Sequence, residues 1–338
     1  MLPPMTHARD EAPSLRVWIA LVIVYIVWGT TYLGIEVVNE TMPTFLAAGV
    51  RFLVSGAILY LLAVRRGDRD GDRPTARGWR AAAVIGAGLL VTGNGFVALA
   101  ERTVPTGLVS LIIALVPIWM ALIDTVLLGR RPRAQVIVGL VGGFAGAAFL
   151  VSGSADADAV PLTGMLVAVV ATISWASASL YSRTAPLPRR PFVGVGMEML
   201  CGGTLLVVLG VATGELADVD LAGISRASLL ALGYLIVFGS FAGFASYIWL
   251  LRNARTSLVS TYAYVNPVVA VFLGWAVLGE PVTPRILIAG LIVLASVALI
   301  IASHAERATP APTSGAEGAE EGWPQVEGEV GLERGRGA

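Results

Sequence analysis

The stretch TGLVSLIIALVPIWMALIDTVLLG (106–129) recurs 150 positions later as TSLVSTYAYVNPVVAVFLGWAVLG (256–279). Thr106/Thr256, Leu108/Leu258, Val109/Val259, Ser110/Ser260, Pro117/Pro267, Leu128/Leu278 and Gly129/Gly279 are identical pairs. A second set of matches lies at an offset of 147, where Trp28 falls on Trp175, Gly49 on Gly196 and Gly56 on Gly203. The chain is therefore a tandem repeat, and each copy must fold in the same way.

The medium of that fold follows from composition. Of 338 residues, 56% are hydrophobic and 14% charged, with a mean hydropathy of +0.78. A soluble domain carries roughly a quarter charged residues, so this is an integral membrane protein. A helix needs about 20 apolar residues to cross the hydrocarbon core. Ten segments meet that need: 17–36, 43–64, 80–100, 105–128, 134–153, 162–182, 192–213, 227–250, 257–279 and 285–303. The expected fold is all-α, with ten transmembrane helices arranged as two five-helix repeats, 17–153 and 162–303. An odd number of crossings per repeat turns the second copy upside down. Inverted repeats are the architecture of many secondary transporters, which hold their substrate near the bilayer midplane between the copies.

Orientation comes from arginine. All 23 basic residues are Arg, and 14 of them fall in the four loops 65–80, 129–133, 183–191 and 252–255. The opposite loops carry only Arg102, Arg226 and Arg285. Positive loops stay inside, which places both termini in the cytoplasm of a multi-pass plasma-membrane protein. Residues 1–16 then form a cytoplasmic N-terminal segment. Residues 304–338, rich in Gly, Glu, Pro and Ala without apolar periodicity, read as a disordered cytoplasmic tail.

Several chemistries are excluded. With no Lys there is no P-loop lysine and no Schiff base. His7 and His304 lie outside the spans, and Cys201 is the single cysteine. No metal cluster, cofactor or nucleic-acid partner is expected. A membrane enzyme would need convergent nucleophilic, acid/base or metal groups, and no His lies in any span.

What remains is polar chemistry inside spans, where ionisable groups are costly and face the bundle interior. The 147 offset places Arg51 on Glu198 and Glu36 on Arg183, so charge is swapped between repeats. Counting 1.5 Å per residue, Arg51 lies about 12 Å and Glu198 about 10 Å from their membrane boundaries. Arg51 can pair with Glu36 in its own hairpin or with Glu198 across the repeats. Such a pair either locks the repeats together or meets substrate, and Glu198 is the candidate for proton coupling. Pro117 and Pro267 kink the fourth and ninth helices and free the carbonyls of Ile113 and Ala263. Matching interruptions in two halves point to a transporter site. Trp28, Tyr32, Asn94, Trp175, Tyr247, Tyr262, Tyr264 and Asn266 complete the candidate cavity lining. Because Tyr262 and Tyr264 alternate on one helix, only one of them is expected to meet a ligand. Gly139, Gly142, Gly143 and Gly146, and again Gly239 and Gly243, have the spacing for close helix packing, within one chain or in a dimer.

The segments VWGTTYLGI (27–35), GVRFLVSG (49–56), the LVP and LLG of the fourth span, and SYIWLLRNARTSLVSTYAYVNPVVAVFLGWAVLGEP (246–281) resemble the drug/metabolite transporter superfamily, EamA type. The last of these is most similar to the YedA-like group of exporters. The resemblance covers 17–303 and implies a ten-helix permease that exports a small metabolite or drug from a central cavity. A passive facilitator of the same fold is the alternative. Members of the family often end the fourth helix of a repeat with Leu-Gly-Glu. Leu278-Gly279-Glu280 keeps this, while the first repeat has Leu128-Gly129-Arg130. That departure follows the positive-inside rule and speaks against a coupling role for Glu280.

Overall fold

The computed structural model describes residues 15–65, 73–128, 134–151, 161–254 and 262–307. The expectations for the N-terminal segment, the loop joining the repeats and the C-terminal tail therefore fall outside the described residues, apart from a few at their edges. Within them the chain is helical, with no strand. The helices are α1 (Leu15–Asn39), α2 (Thr44–Arg65), α3 (Ala76–Glu101), α4 (106–128, interrupted at Ala114 and Leu115), α5 (Ala134–Val151), α6 (Leu162–Ser182), α7 (Pro191–Ala212), α8 (226–253), α9 (262–278) and α10 (Pro284–Arg307).

Six stretches are long and apolar enough to cross a membrane: α1, α2, α3, α6, α7 and Arg226–Tyr247 of α8. Four shorter apolar stretches follow in α4, α5, α9 and α10, at Thr106–Met120, Ala134–Gly146, Val265–Leu278 and Pro284–Leu299. The outer surface carries many exposed large apolar side chains, among them Leu230 at 75% and Val126 at 71% exposure. A contiguous apolar exterior of that kind marks contact with lipid.

Two helices run further than their hydropathy suggests. α1 continues past Glu36 to Asn39 and α3 to Glu101, so Glu101 is a helical rather than a loop residue. α3 and α8 also share an irregularity. Residues Ala87–Gly95 and Leu235–Ala242 form wide π-helical turns at matching places in the two halves. Such turns are rare and concentrate at functional sites.

Helix neighbours are reciprocal between the halves. α1 packs on α8 and α9 of the second half, and α6 packs on α3 and α4 of the first. α2 packs on α7, and α5 on α10. The α2–α7 crossing is antiparallel and made by the repeated glycines. A Cβ on Gly49 would come within 3.1 Å of the Gly203 carbonyl, and one on Gly203 within 3.1 Å of the Gly49 carbonyl. Gly56 faces Gly196 in the same way, 3.2 Å from its carbonyl. Small residues allow this backbone approach, which lipid would not otherwise favour. The other glycine stripes also pack within the chain. Gly142, Gly143 and Gly146 of α5 receive Ser296, Ile118 and Ile292.

Gly49→Leu or Gly203→Leu should therefore force the α2–α7 crossing apart, at about 1–3 kcal/mol for overpacking. A thermal melt of the purified protein in detergent should show a clear fall for either. Gly233→Ala, where an added Cβ meets nothing within 4 Å, is the control and should not lower the melt.

Candidate functional site

The central cavity lies between the halves, with about 830 Å³ of empty space including its mouth. Its walls come from both repeats. α1 gives Trp28, Thr31 and Tyr32, α2 gives Arg51, and α3 gives Gly93, Asn94 and Val97. The second repeat adds Trp175 from α6, Phe244 from α8, and Tyr262, Asn266 and Pro267 from α9. Eight of the residues expected from sequence thus meet here: Trp28, Tyr32, Arg51, Asn94, Trp175, Tyr262, Asn266 and Pro267.

Each tryptophan of one repeat rests on a glycine of the other. The Trp28 indole lies where a Cβ on Gly243 would stand 2.5 Å from Nε1, and Trp175 lies 2.9 Å from the corresponding point on Gly93. Gly93 and Gly243 are themselves 150 positions apart, so the contact occurs twice. Around Trp28 an aromatic wall closes, with ring centroids 5.4 Å to Phe244, 5.0 Å to Tyr247 and 5.2 Å to Tyr262. Edge contacts of this kind hold a rigid apolar surface. Tyr247 does not itself line the cavity; it backs Trp28 and Tyr262. The Tyr264 side chain lies outside the described residues.

The polar side of the cavity is built from irregular backbone. In the α3 π turn, Asn94 donates from Nδ2 to the Leu89 carbonyl at 3.3 Å, and Thr92 bonds to Ser174 of α6. Asn266, oriented to satisfy its partners, donates to the carbonyls of Tyr25 (3.2 Å) and Tyr262 (3.3 Å). Pro117 is not on the wall, but the break it imposes on α4 is, through Ile113, Ala114 and Val116. Ala263, whose carbonyl Pro267 frees, is on the wall as well. Non-helical backbone at membrane depth is tolerated where it faces a cavity or protein.

Arg51 is 5% exposed. Its Nε donates to Ser240 Oγ at 2.9 Å, and Gly239, one residue earlier in the α8 π turn, leaves room for Nη2. Arg51 thus makes neither of the two ion pairs open to it from the sequence, with Glu198 or with Glu36. Glu198 lies on α7 with its backbone against Gly86 of α3, away from the cavity wall. The reason is geometric. Gly49 meets Gly203 and Gly56 meets Gly196, so the antiparallel α2–α7 register sets Arg51 level with Cys201 rather than with Glu198. Arg51 turns to α8 instead, and the Glu198 carbonyl lies against α3. Glu36 is not the partner of Arg51 either; the carboxylate whose charge acts on Arg51 is Glu101.

Glu101 is the residue that sequence reading missed. It is 2% exposed at the end of α3, and its charged neighbours are Glu36, Glu280 and Arg51. A span cut at residue 100 discards it, yet Asn94, Val97 and Glu101 follow the i, i+3, i+7 spacing of one helix face. Glu280 is held differently. Gly279 takes a left-handed φ of 70° at the end of α9 and turns the chain back toward α4. There Glu280 accepts from Thr106 N (2.7 Å), Thr106 Oγ1 (2.9 Å) and Gly107 N (3.1 Å), capping that helix. Among the described residues, no three His, Cys, Asp or Glu side chains converge to hold a metal ion.

A lipid-facing helical protein with a charged and aromatic cavity between two repeats belongs to the class of multi-pass membrane transporters. The EamA-like transporter family matches residues 15–152 and again 162–302, and the chain belongs to that family. It is similar to the uncharacterized inner membrane transporter YedA of Escherichia coli K12, at 37% identity over 293 residues, 86% of this chain and 92% of that one. It is also similar to the uncharacterized transporter YvbV of Bacillus subtilis, 24% identical over 86% of this chain and 93% of that one. A solved crystal structure 19% identical shares the fold, with a TM-score of 0.60 over 88% of this chain and 100% of its own. The chain is a transporter-family protein, not an enzyme.

A double-mutant cycle separates the two partners of Arg51. Arg51→Leu with Ser240→Ala should show a coupling of 0.5 kcal/mol or more, on the order of that for residues in contact. Arg51→Leu with Glu198→Leu should be additive within about 0.5 kcal/mol. Both are read from unfolding in detergent.

Proposed function

We propose that the protein is a secondary active transporter that exports a small metabolite or drug by alternating access through the central cavity. The observation that carries this reading is the cavity itself. It is lined by both repeats and combines a buried arginine with an aromatic cluster. A solute held there contacts both halves, so rocking one half against the other can expose it to either side.

The inverted ten-helix topology belongs to the same proposal. It is supported by the antiparallel glycine crossing of α2 and α7, by the reciprocal packing of α1 and α6, and by the six long and four shorter apolar stretches. Both termini are then cytoplasmic, on the arginine-rich side. The partners are a small-molecule substrate and the lipid bilayer, with the proton as driving ion.

Reporter fusions after Arg66, Arg131, Arg190 and Asn253 should report cytoplasm, and fusions after Asn39, Asp156 and Asp218 the opposite side. A cytoplasmic signal at Asp156 would sink the inverted topology, because that loop joins the repeats. For transport, cells with and without the protein are compared by metabolite profiling of cells and medium. The solute that differs is then presented to protein-containing vesicles under an imposed pH gradient. Accumulation above the outside concentration is the expected result, and simple equilibration would overturn active transport.

A further inference from the structure

The carboxylates near the cavity fall into two kinds. Where the fold holds a carboxylate as an acceptor, it supplies donors. Glu280 has three from the start of α4, and Glu215 takes the Phe45 and Leu46 amides at the start of α2. Glu101 has none. Both of its oxygens are buried without a hydrogen-bond partner, and so is Oε2 of Glu36 beside it. Arg51, its one cationic neighbour, spends Nε on Ser240.

A bare buried carboxylate is costly unless it is neutralised or paired. A metal is not the answer, because no metal-holding cluster forms here among the described residues. One proton is enough: carboxylate and proton combine to a carboxylic acid, and no other bond changes. The site also communicates with the cavity. Asn94 and Val97 on the same face of α3 line the wall, as do Tyr32 and Arg51, both neighbours of Glu101. Arg51 also borders a smaller cavity of about 320 Å³ that continues to Asn39 and Thr44 at the α1–α2 turn.

We propose that Glu101, with Glu36 beside it, is the site that takes up and releases a proton during the transport cycle. This rests on the transporter reading above and replaces Glu198 as the coupling group. The groups that face it are Tyr32 and Glu36 from α1, Arg51 from α2, and Glu280 after α9, with Glu40 acting on Glu36. Glu280 is engaged with the start of α4. Glu101, with both oxygens free of donors, is therefore left to bind the proton, and Glu36 and Arg51 are charges that act on it.

The test is infrared difference spectroscopy of the purified full-length protein between acid and alkaline buffer, which needs no substrate. The wild type should show the carbonyl band of a buried carboxylic acid that disappears on alkalinisation. Glu101→Gln should remove that band, Glu101→Asp should keep it at a shifted frequency, and Glu36→Gln should shift it. If Glu101→Gln does not fold, the Asp shift alone assigns the band. The proposal is overturned if the band survives unshifted in the Glu101 variants, if it is lost instead in Glu198→Gln, or if sodium at constant pH bleaches it. A band assigned to Glu101 together with transport indifferent to a pH gradient would defeat active proton-driven transport but not the site. Gradient-driven transport without that band would defeat the site alone.

Discussion

Everything in the bundle depends on how closely α2 and α7 approach. Four glycines, Gly49, Gly56, Gly196 and Gly203, let the two backbones touch where any side chain would hold them apart. Without a hydrophobic driving force between helices in lipid, such packing is what holds transmembrane helices together. The contact also aims the side chains that flank it. Phe52 is fully buried and Arg51 is turned sideways onto α8, where Ser240 and the space over Gly239 receive it. The cavity's one deeply buried cation, among the described residues, is thus placed by the same crossing that joins the halves.

Backbone irregularity does the rest. The π turns of α3 and α8, the break in α4 before Pro117 and the proline of α9 all reach the cavity or support its wall. Each costs helix hydrogen bonds that must be replaced from within the protein. Asn94, Thr92 and Asn266 supply part of that replacement with their side chains. Polar residues that look misplaced in an apolar sequence are therefore the partners of a deliberately imperfect backbone.

The repeat, the helical class and the polar and aromatic part of the cavity wall were legible in the sequence, because periodicity and intramembrane polarity are local signals. Trp28 and Trp175 could be matched by offset, and so could the glycines that receive them. Contact could not. An offset identifies equivalent positions, whereas contact is set by the register of two antiparallel helices. That register joins Gly49 to Gly203 and Gly56 to Gly196, each to the other's equivalent, and leaves Arg51 and Glu198 at different levels. Glu101 was lost to a different error: hydropathy ends a span at the first charged residue, whereas the helix and its cavity-facing stripe run one residue further.

The scaffold is symmetric but the lining is not, and the difference has a consequence for what the cavity can hold. At the 150 offset, Tyr262 and Asn266 of α9 stand where α4 has Ile112 and Val116, and Phe244 stands where α3 has Asn94. The two Trp–Gly contacts repeat the frame, while these exchanges change the chemistry of what it carries. The wall therefore combines the rings around Trp28 with the polar groups of Arg51 and Asn94. A repeated frame thus carries an unrepeated lining, and it is the unrepeated part that gives a bound solute one preferred way to sit.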